Sequence, residues 1–328
     1  VIRGWVLATV LGSLSAGEPA PPVTIVPAGH PAAEVVALAG AMLAPDALDR
    51  GLGFRPVVLA ALRAPPATAW QALAHALDLE WVPAESGGAW LTTADRLPAG
   101  QRRGRTWPGA GARPLTLERQ IQDLMAPWLG GGAAIALDPL SGSWSATLDA
   151  TGLARVEDIL TALEDDGARL PPLIRPAAPE GRHRDLPSSD WSSFAADLVE
   201  AGAPAVAIHP SLLSASAPAV PAGPLATLPD RLGIPAAWID GCLCIGQPRS
   251  RLHPAWAARV AVIPVGHLRR PAVELATGVA SAIPRRPGWG VVAHPGGTAL
   301  IVIADPAAIH GVLDLLDQWE RDGALLAP

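Results

Sequence analysis

Asp138–Glu164 reads DPLSGSWSATLDATGLARVEDILTALE, and 156 residues further on His294–Glu320 reads HPGGTALIVIADPAAIHGVLDLLDQWE. The two align without a gap: Pro139 falls on Pro295, Val156 on Val312, Ile159 and Leu160 on Leu315 and Leu316, and Glu164 on Glu320. A fixed period of this kind marks a repeated structural unit. In each copy a turn leads into an apolar strand, a short polar turn follows, and a helix begins. The first helix carries the stripe Leu153, Val156, Ile159, Leu160 and Leu163; the second carries Ile309, Val312, Leu313, Leu315, Leu316 and Trp319. Each stripe predicts burial against its own small sheet. Asp305 stands where a side-chain cap opens the last helix, with Pro306 in its first turn.

A looser pairing lies upstream. Leu73, Leu77 and Leu79 in WQALAHALDLEW are spaced like Leu228, Leu232 and Ile234 in PLATLPDRLGIPAAW, at an offset of 155 residues. The first string runs through Gly87–Gly88 into AWLTTA and the second through Asp240–Gly241 into CLCI, so both predict a hairpin with a tight turn. Two further strings, TIVPAGHPAAEVVALAGAML from Thr24 and AVIPVGHLRRPAVELATGVASAI from Ala261, share a β-like start and a Pro-x-Gly-His turn. The expectation is an α+β chain of duplicated small modules, short helices packed on small mixed β-sheets. The modules cover 22–95, 104–167, 186–248 and 256–321 and are grouped as neighbouring pairs, 22–167 and 186–321. Arg-, Gly- and Pro-rich stretches near Pro98–Arg113 and Arg169–Pro187 read as connections.

RPVVLAALRAPPATAWQALAHALDLEWVPAESGGAWLTTA resembles the short N-terminal (STN) module shared by secretins and TonB-dependent transducers. Val57–Leu59 looks like its middle strand, Ala67–Leu77 like its helix, and Leu79–Val82 with Ala89–Thr93 like its closing hairpin. Residues 186–248 look like a second, divergent copy. Gln120–Leu129 with Asp138–Glu164, and Ala272–Ile283 with His294–Glu320, are similar to secretin N-domains. The long β-barrel region of secretins has no counterpart in these residues. The resemblance therefore implies periplasmic modules for oligomerisation, partner docking or assembly, and no channel.

Composition agrees with folded modules: half of the 328 residues are hydrophobic and 16% are charged, which argues against pervasive disorder. Glycine and proline, 33 and 36 residues, keep the elements short. A formal charge of -6 without a long basic run gives no nucleic-acid footprint. VIRGWVLATVLGSLSAGEPAPP has the basic, apolar and small-residue order of a secretory signal peptide, read over residues 1–17, which places the protein in the periplasm or otherwise outside the inner membrane. No later run of about 18 apolar residues predicts a membrane helix. Cys242 and Cys244 alternate along an apolar run, so they share one strand face and read as two buried thiols. A link between them would strain the strand.

No residue is assigned a catalytic, cofactor-binding or metal-binding role. His30 and His267 occupy the repeated turns and read as turn-closing groups. His75 lies within an apolar helix, while His294 and His310 face Asp138 and Ala154 in the other repeat copy. There is no His-Glu-x-x-His string and no Gly-x-Ser-x-Gly elbow. Gly130–Gly132 and Gly296–Gly297 read as turns, and Asp165–Asp166 after Glu164 as a solvated helix end. Asp46 and Asp49 flank a loop. Trp70, Trp81, Trp90, Trp144, Trp238, Trp289 and Trp319 read as packing residues. Arg96, Arg102, Arg103, Arg105 and Arg113 either keep a connector solvated or meet an anionic lipid surface or an acidic partner. The expected function is a non-enzymatic envelope scaffold or adaptor that contacts envelope proteins or itself; a ligand-binding or hydrolytic protein with a pocket between modules is the alternative.

Overall fold

The computed structural model describes residues 23–25, 31–84, 87–93, 97, 100–109, 111–165, 167–173, 179–247, 252–268 and 270–321. The stretch read as a signal peptide, together with His30, Arg96 and Asp166, lies outside the described residues. The first span contains β1 (Val23–Ile25), α1 (Ala32–Leu38), β2 (Ala41–Leu43), α2 (Pro45–Asp49), β3 (Leu59–Ala64), α3 (Pro66–Leu77), β4 (Glu80–Pro83) and β5 (Ala89–Thr92). The second contains β6 (Arg103–Trp107), α4 (Leu115–Leu124), β7 (Ala134–Leu137), β8 (Trp144–Leu148) and α5 (Ala150–Glu164). In the third are β9 (Arg182–His183), α6 (Trp191–Glu200), β10 (Ala205–Ile208), β11 (Gly223–Pro224), α7 (Leu228–Arg231), β12 (Ala236–Ile239) and β13 (Cys242–Ile245). The fourth has α8 (Pro254–Ala257), β14 (Arg259–Pro264), α9 (Ala272–Ala280), β15 (Gly290–Ala293), β16 (Ala299–Ala304) and α10 (Pro306–Arg321). The fold is α+β, with helices on small mixed or antiparallel sheets.

The repeated stretches form equivalent elements. β8–α5 and β16–α10 superpose in sequence at the 156-residue offset, and each helix opens on an aspartate cap. Asp149 Oδ1 accepts from the Gly152 amide at 2.8 Å, and Asp305 Oδ1 from the Ala308 amide at 2.7 Å. Asp240 and Gly241 both take positive φ, 48° and 79°, and join β12 to β13 as an antiparallel hairpin. That is the turn the sequence predicts there.

The grouping of the spans differs from the sequence expectation. The chain divides into two compact units, Val1–Thr93 with Pro176–Arg251 and Ala94–Arg175 with Leu252–Pro328. First and third spans therefore belong together, as do second and fourth, where the repeat pairs neighbours. In the first unit a five-stranded sheet runs β1-β3-β10-β13-β12, with β3 antiparallel to β10 and β10 parallel to β13. A three-stranded sheet, β2-β5-β4, belongs to the first span alone. In the second unit β6-β8-β7 and β14-β16-β15 are separate three-stranded sheets that share a core.

The cause of the regrouping is burial on more than one side. α3 buries nine residues from Thr68 to Leu77 around its circumference, so one sheet cannot cover it. It packs on β4 of its own span and on β3, β10 and β13 of the shared sheet. β16 is buried at all six positions. Leu300, Val302 and Ala304 join the core beneath α9 and α10, whereas Ala299, Ile301 and Ile303 join the core built by α4 and α5 of the second span. Its counterpart β8 alternates strictly, with Ser145 and Thr147 outside. The run ALIVIA is the signature of a strand covered on both faces, and WSATL of one covered on a single face.

Candidate functional site

α3 begins at a Pro-Pro step, which suits a first turn whose amides have no helical partner. Its alanines, Ala69, Ala72 and Ala76, let the sheet approach closely. On the sheet side β10 and β13 alternate small and large residues. Ala205, Ala207, Cys242 and Cys244 lie on one face, while Val206, Ile208, Leu243 and Ile245 lie on the other, against Phe194, Ala195 and Leu198 of α6. The small face receives α3.

At this contact polar groups converge inside the core. Thr68 Oγ1 donates to the Asp240 carbonyl at 2.8 Å, Gln71 Nε2 reaches Cys244 Sγ at 3.9 Å, and His75 Nε2 lies 2.7 Å from the Ile245 carbonyl. A carbonyl can only accept, so His75 donates through Nε2. Gln71 Oε1 in turn accepts from Trp81 Nε1 at 3.2 Å. Cys242 and Cys244 are unlinked and fully buried, with their sulfurs 3.9 Å apart. The hydrogen bond with Cys242 pulls the Cys244 thiol below its ordinary range; burial opposes it, and His75 and Gln71 reinforce it.

One turn beyond His75 the helix ends at Asp78, in the left-handed region with φ 55°. His209 Nδ1 accepts from the Ser211 amide at 3.2 Å, which places the proton on Nε2, 3.3 Å from Asp78 Oδ1. The His75 and His209 rings are 5.6 Å apart. Apart from the Gln71–Trp81 bond, these contacts from α3 and its capping Asp78 reach the third span. Buried polar groups that satisfy one another only in one register select that register over apolar alternatives. The cluster thus works as a lock between the two spans. Among the described residues no group of three or more histidine, cysteine or acidic side chains has metal-holding geometry.

The second unit is locked the same way from α5. Arg155 Nη2 donates to the Ala258 carbonyl at 2.8 Å and the Ala255 carbonyl at 3.3 Å, and burial lowers its pKa. His294 Nε2 donates to the Leu163 carbonyl at 3.0 Å, while Nδ1 accepts from the Gly296 amide and closes the turn. His310 bonds the Pro306 carbonyl within its own helix, and His267 is exposed in the turn after β14. Two cavities lie in the second span. One of about 270 Å³ sits between Trp107, Trp144 and the outer side of α5; the other, about 260 Å³, lies beside Arg102 and the capping Asp149.

The remaining sequence candidates are scattered. Asp46 accepts from the Thr93 hydroxyl at 2.6 Å and the Thr93 amide at 2.7 Å, which ties α2 to the end of β5. Arg102 bonds the Gly130 and Gly131 carbonyls, so this glycine turn is closed by a guanidinium. Arg105 forms a two-point pair with Glu157 at 2.7 and 2.8 Å. Sequence reasoning missed Thr68, Gln71, Asp78 and His209 as members of the cluster. A legible trace did exist: Gln71 and His75 are four residues apart in a helix rich in alanine and leucine, which puts two polar groups on one buried face. No family model matches this chain, and no curated protein matches it.

Proposed function

We propose that this protein is a non-enzymatic scaffold or adaptor of the cell envelope, exported to the periplasm and acting through protein contacts. The observation that carries the reading is β6. It is an edge strand of its three-stranded sheet, and Arg103, Gly104, Arg105 and Thr106 are all exposed. An exposed edge offers unpaired backbone groups to an added strand, a common mode of peptide recognition. The resemblance to STN and secretin N-domain modules, which serve docking and ring assembly, supports the same reading, as does the burial of the thiol and imidazole cluster in a core.

Proline scanning of the edge provides the test. Successive residues of a strand send their amides in opposite directions, so one of Arg105→Pro and Thr106→Pro removes an outward donor while the other breaks the ladder to β8. The variant that keeps the wild-type melting temperature identifies the outward position. Purified from envelope extract at native abundance, the wild type is expected to carry a discrete partner or self-assembly that this variant loses. A dilution-stable monomer with no partner, or an assembly unaffected by the variant, overturns the proposal.

A further inference from the structure

Trp107 and Trp144 are direct register partners at the end of the β6–β8 ladder. Among the described residues, the indole nitrogens of both are buried without a hydrogen-bond partner. Trp70, Trp81, Trp128, Trp191, Trp238 and Trp289 each donate to a protein acceptor, so the orphaned pair departs from the pattern of this molecule. A buried donor that has left water without gaining an acceptor is unfavourable, and such groups mark places where an external acceptor belongs. Trp144 is only 3% exposed. Both residues line the same cavity of about 270 Å³.

The other walls restrict what fits. Pro108, Leu160 and Leu163 offer apolar surface, and Arg113 brings a cation. Glu157 also lines the space but is held by Arg105, whereas Glu164 adds a negative charge that disfavours multiply charged anions. The rim is rigid. A Cβ on Gly109 would stand 2.1 Å from the Gly142 carbonyl carbon, and Gly142 itself has φ +70°, so both positions require glycine. The volume lies below that of a drug-sized pocket, which points to a compact ligand.

We propose that this cavity binds a small monocarboxylate with an apolar body, its oxygens accepting from the Trp107 and Trp144 indole N–H groups while Arg113 balances its charge. Two donors beside a guanidinium match the two oxygens of a carboxylate. The site lies within the second span and takes Trp107 from the end of β6, so it adjoins the edge proposed for protein contact, and its test reads the indole groups and not the partner.

N-acetyl-L-leucine is a suitable probe and N-acetyl-L-leucinamide its carboxylate-free control. Both are titrated into the full ¹⁵N-labelled chain while the indole N–H resonances are followed. The signals of Trp107 and Trp144, assigned by their loss in Trp107→Phe and Trp144→Phe, are expected to move saturably with the acid and not with the amide. Arg113→Gln should weaken the response roughly tenfold. No saturable movement of these two signals, an equal response to the amide, or unchanged affinity in Arg113→Gln overturns the proposal. Should Trp144→Phe fail to fold, the half-buried Trp107 and Arg113 still decide the outcome through their own variants.

Discussion

His75 and Asp240 sit on opposite sides of the contact between α3 and the β12–β13 hairpin, and each has a measurable consequence. Replacing His75 with leucine keeps an apolar volume but removes the 2.7 Å bond to the Ile245 carbonyl, which retains the His209 amide at 2.8 Å. The expected loss is about 0.5–1.5 kcal/mol, read from urea unfolding of the full chain. Asp240 illustrates the opposite sign. Burial raises its pKa above 3.8, which means that folding is penalised while the group is charged. That penalty is fully present above the raised folded pKa and disappears below the unfolded value. Asparagine suits the same positive φ, so Asp240→Asn should raise the melting temperature at neutral pH and lose this advantage in acid. A pH-independent difference would show that the turn conformation, and not the charge, governs the effect. At Asp46 burial is outweighed by bonds from the Thr93 hydroxyl and amide and the Thr92 hydroxyl, and its pKa falls below 3.8. Its contribution is therefore present above the ordinary carboxylate value and is lost as pH falls through the lowered one. Asp46→Asn should consequently flatten the acid limb of the stability profile.

Among the elements, α10 carries the clearest expectation. Ile309, Val312 and Leu316 are its buried positions, and they pack with Leu300, Val302 and Ala304 of β16. Leu316→Ala should cost about 2–5 kcal/mol through lost transfer energy and an unfilled cavity. The full chain is the right sample, because β16 is also buried on its other face by residues of the second span. Denaturant unfolding with an unchanged midpoint would show that Leu316 does not face the packed side. The helix stripes were legible in the sequence because a one-sided amphipathic helix exposes its own pattern: Leu153, Val156, Ile159, Leu160 and Leu163 are all buried in α5. α3 was legible as a helix but not as a two-sided one, since alanine-rich faces have little hydrophobic contrast and conceal the buried Gln71 and His75.

For the whole molecule, alternation of spans governs how it can be divided. A chain ending at residue 167 retains β3 but lacks β10, its antiparallel neighbour, and leaves the sheet side of α3 uncovered. Such a fragment should not protect its amides from hydrogen exchange in α3, whereas the full chain should. The two thiols report the same unit. Fully buried Cys242 and Cys244 should resist a thiol reagent until the first and third spans open together, so labelling and loss of the α3 amides should share one denaturant midpoint. Labelling well below that midpoint would mean that the third span opens by itself.

Sequence alone determined the α+β class, the two strand-helix stretches, the Asp305 cap, the Asp240–Gly241 hairpin and the burial of both cysteines. All of these depend on local backbone preference or on the periodicity of a single element, which a linear string records. Tertiary structure alone decided that β3 pairs with β10, that β16 is covered from two sides, and that Gln71, His75, Cys244 and His209 meet. Those choices depend on which apolar faces remain unburied after each span has folded on itself. Neither the 156-residue nor the 155-residue repeat offset encodes that choice, because copies of one unit carry the same local pattern whether they associate with a neighbour or with the span beyond it.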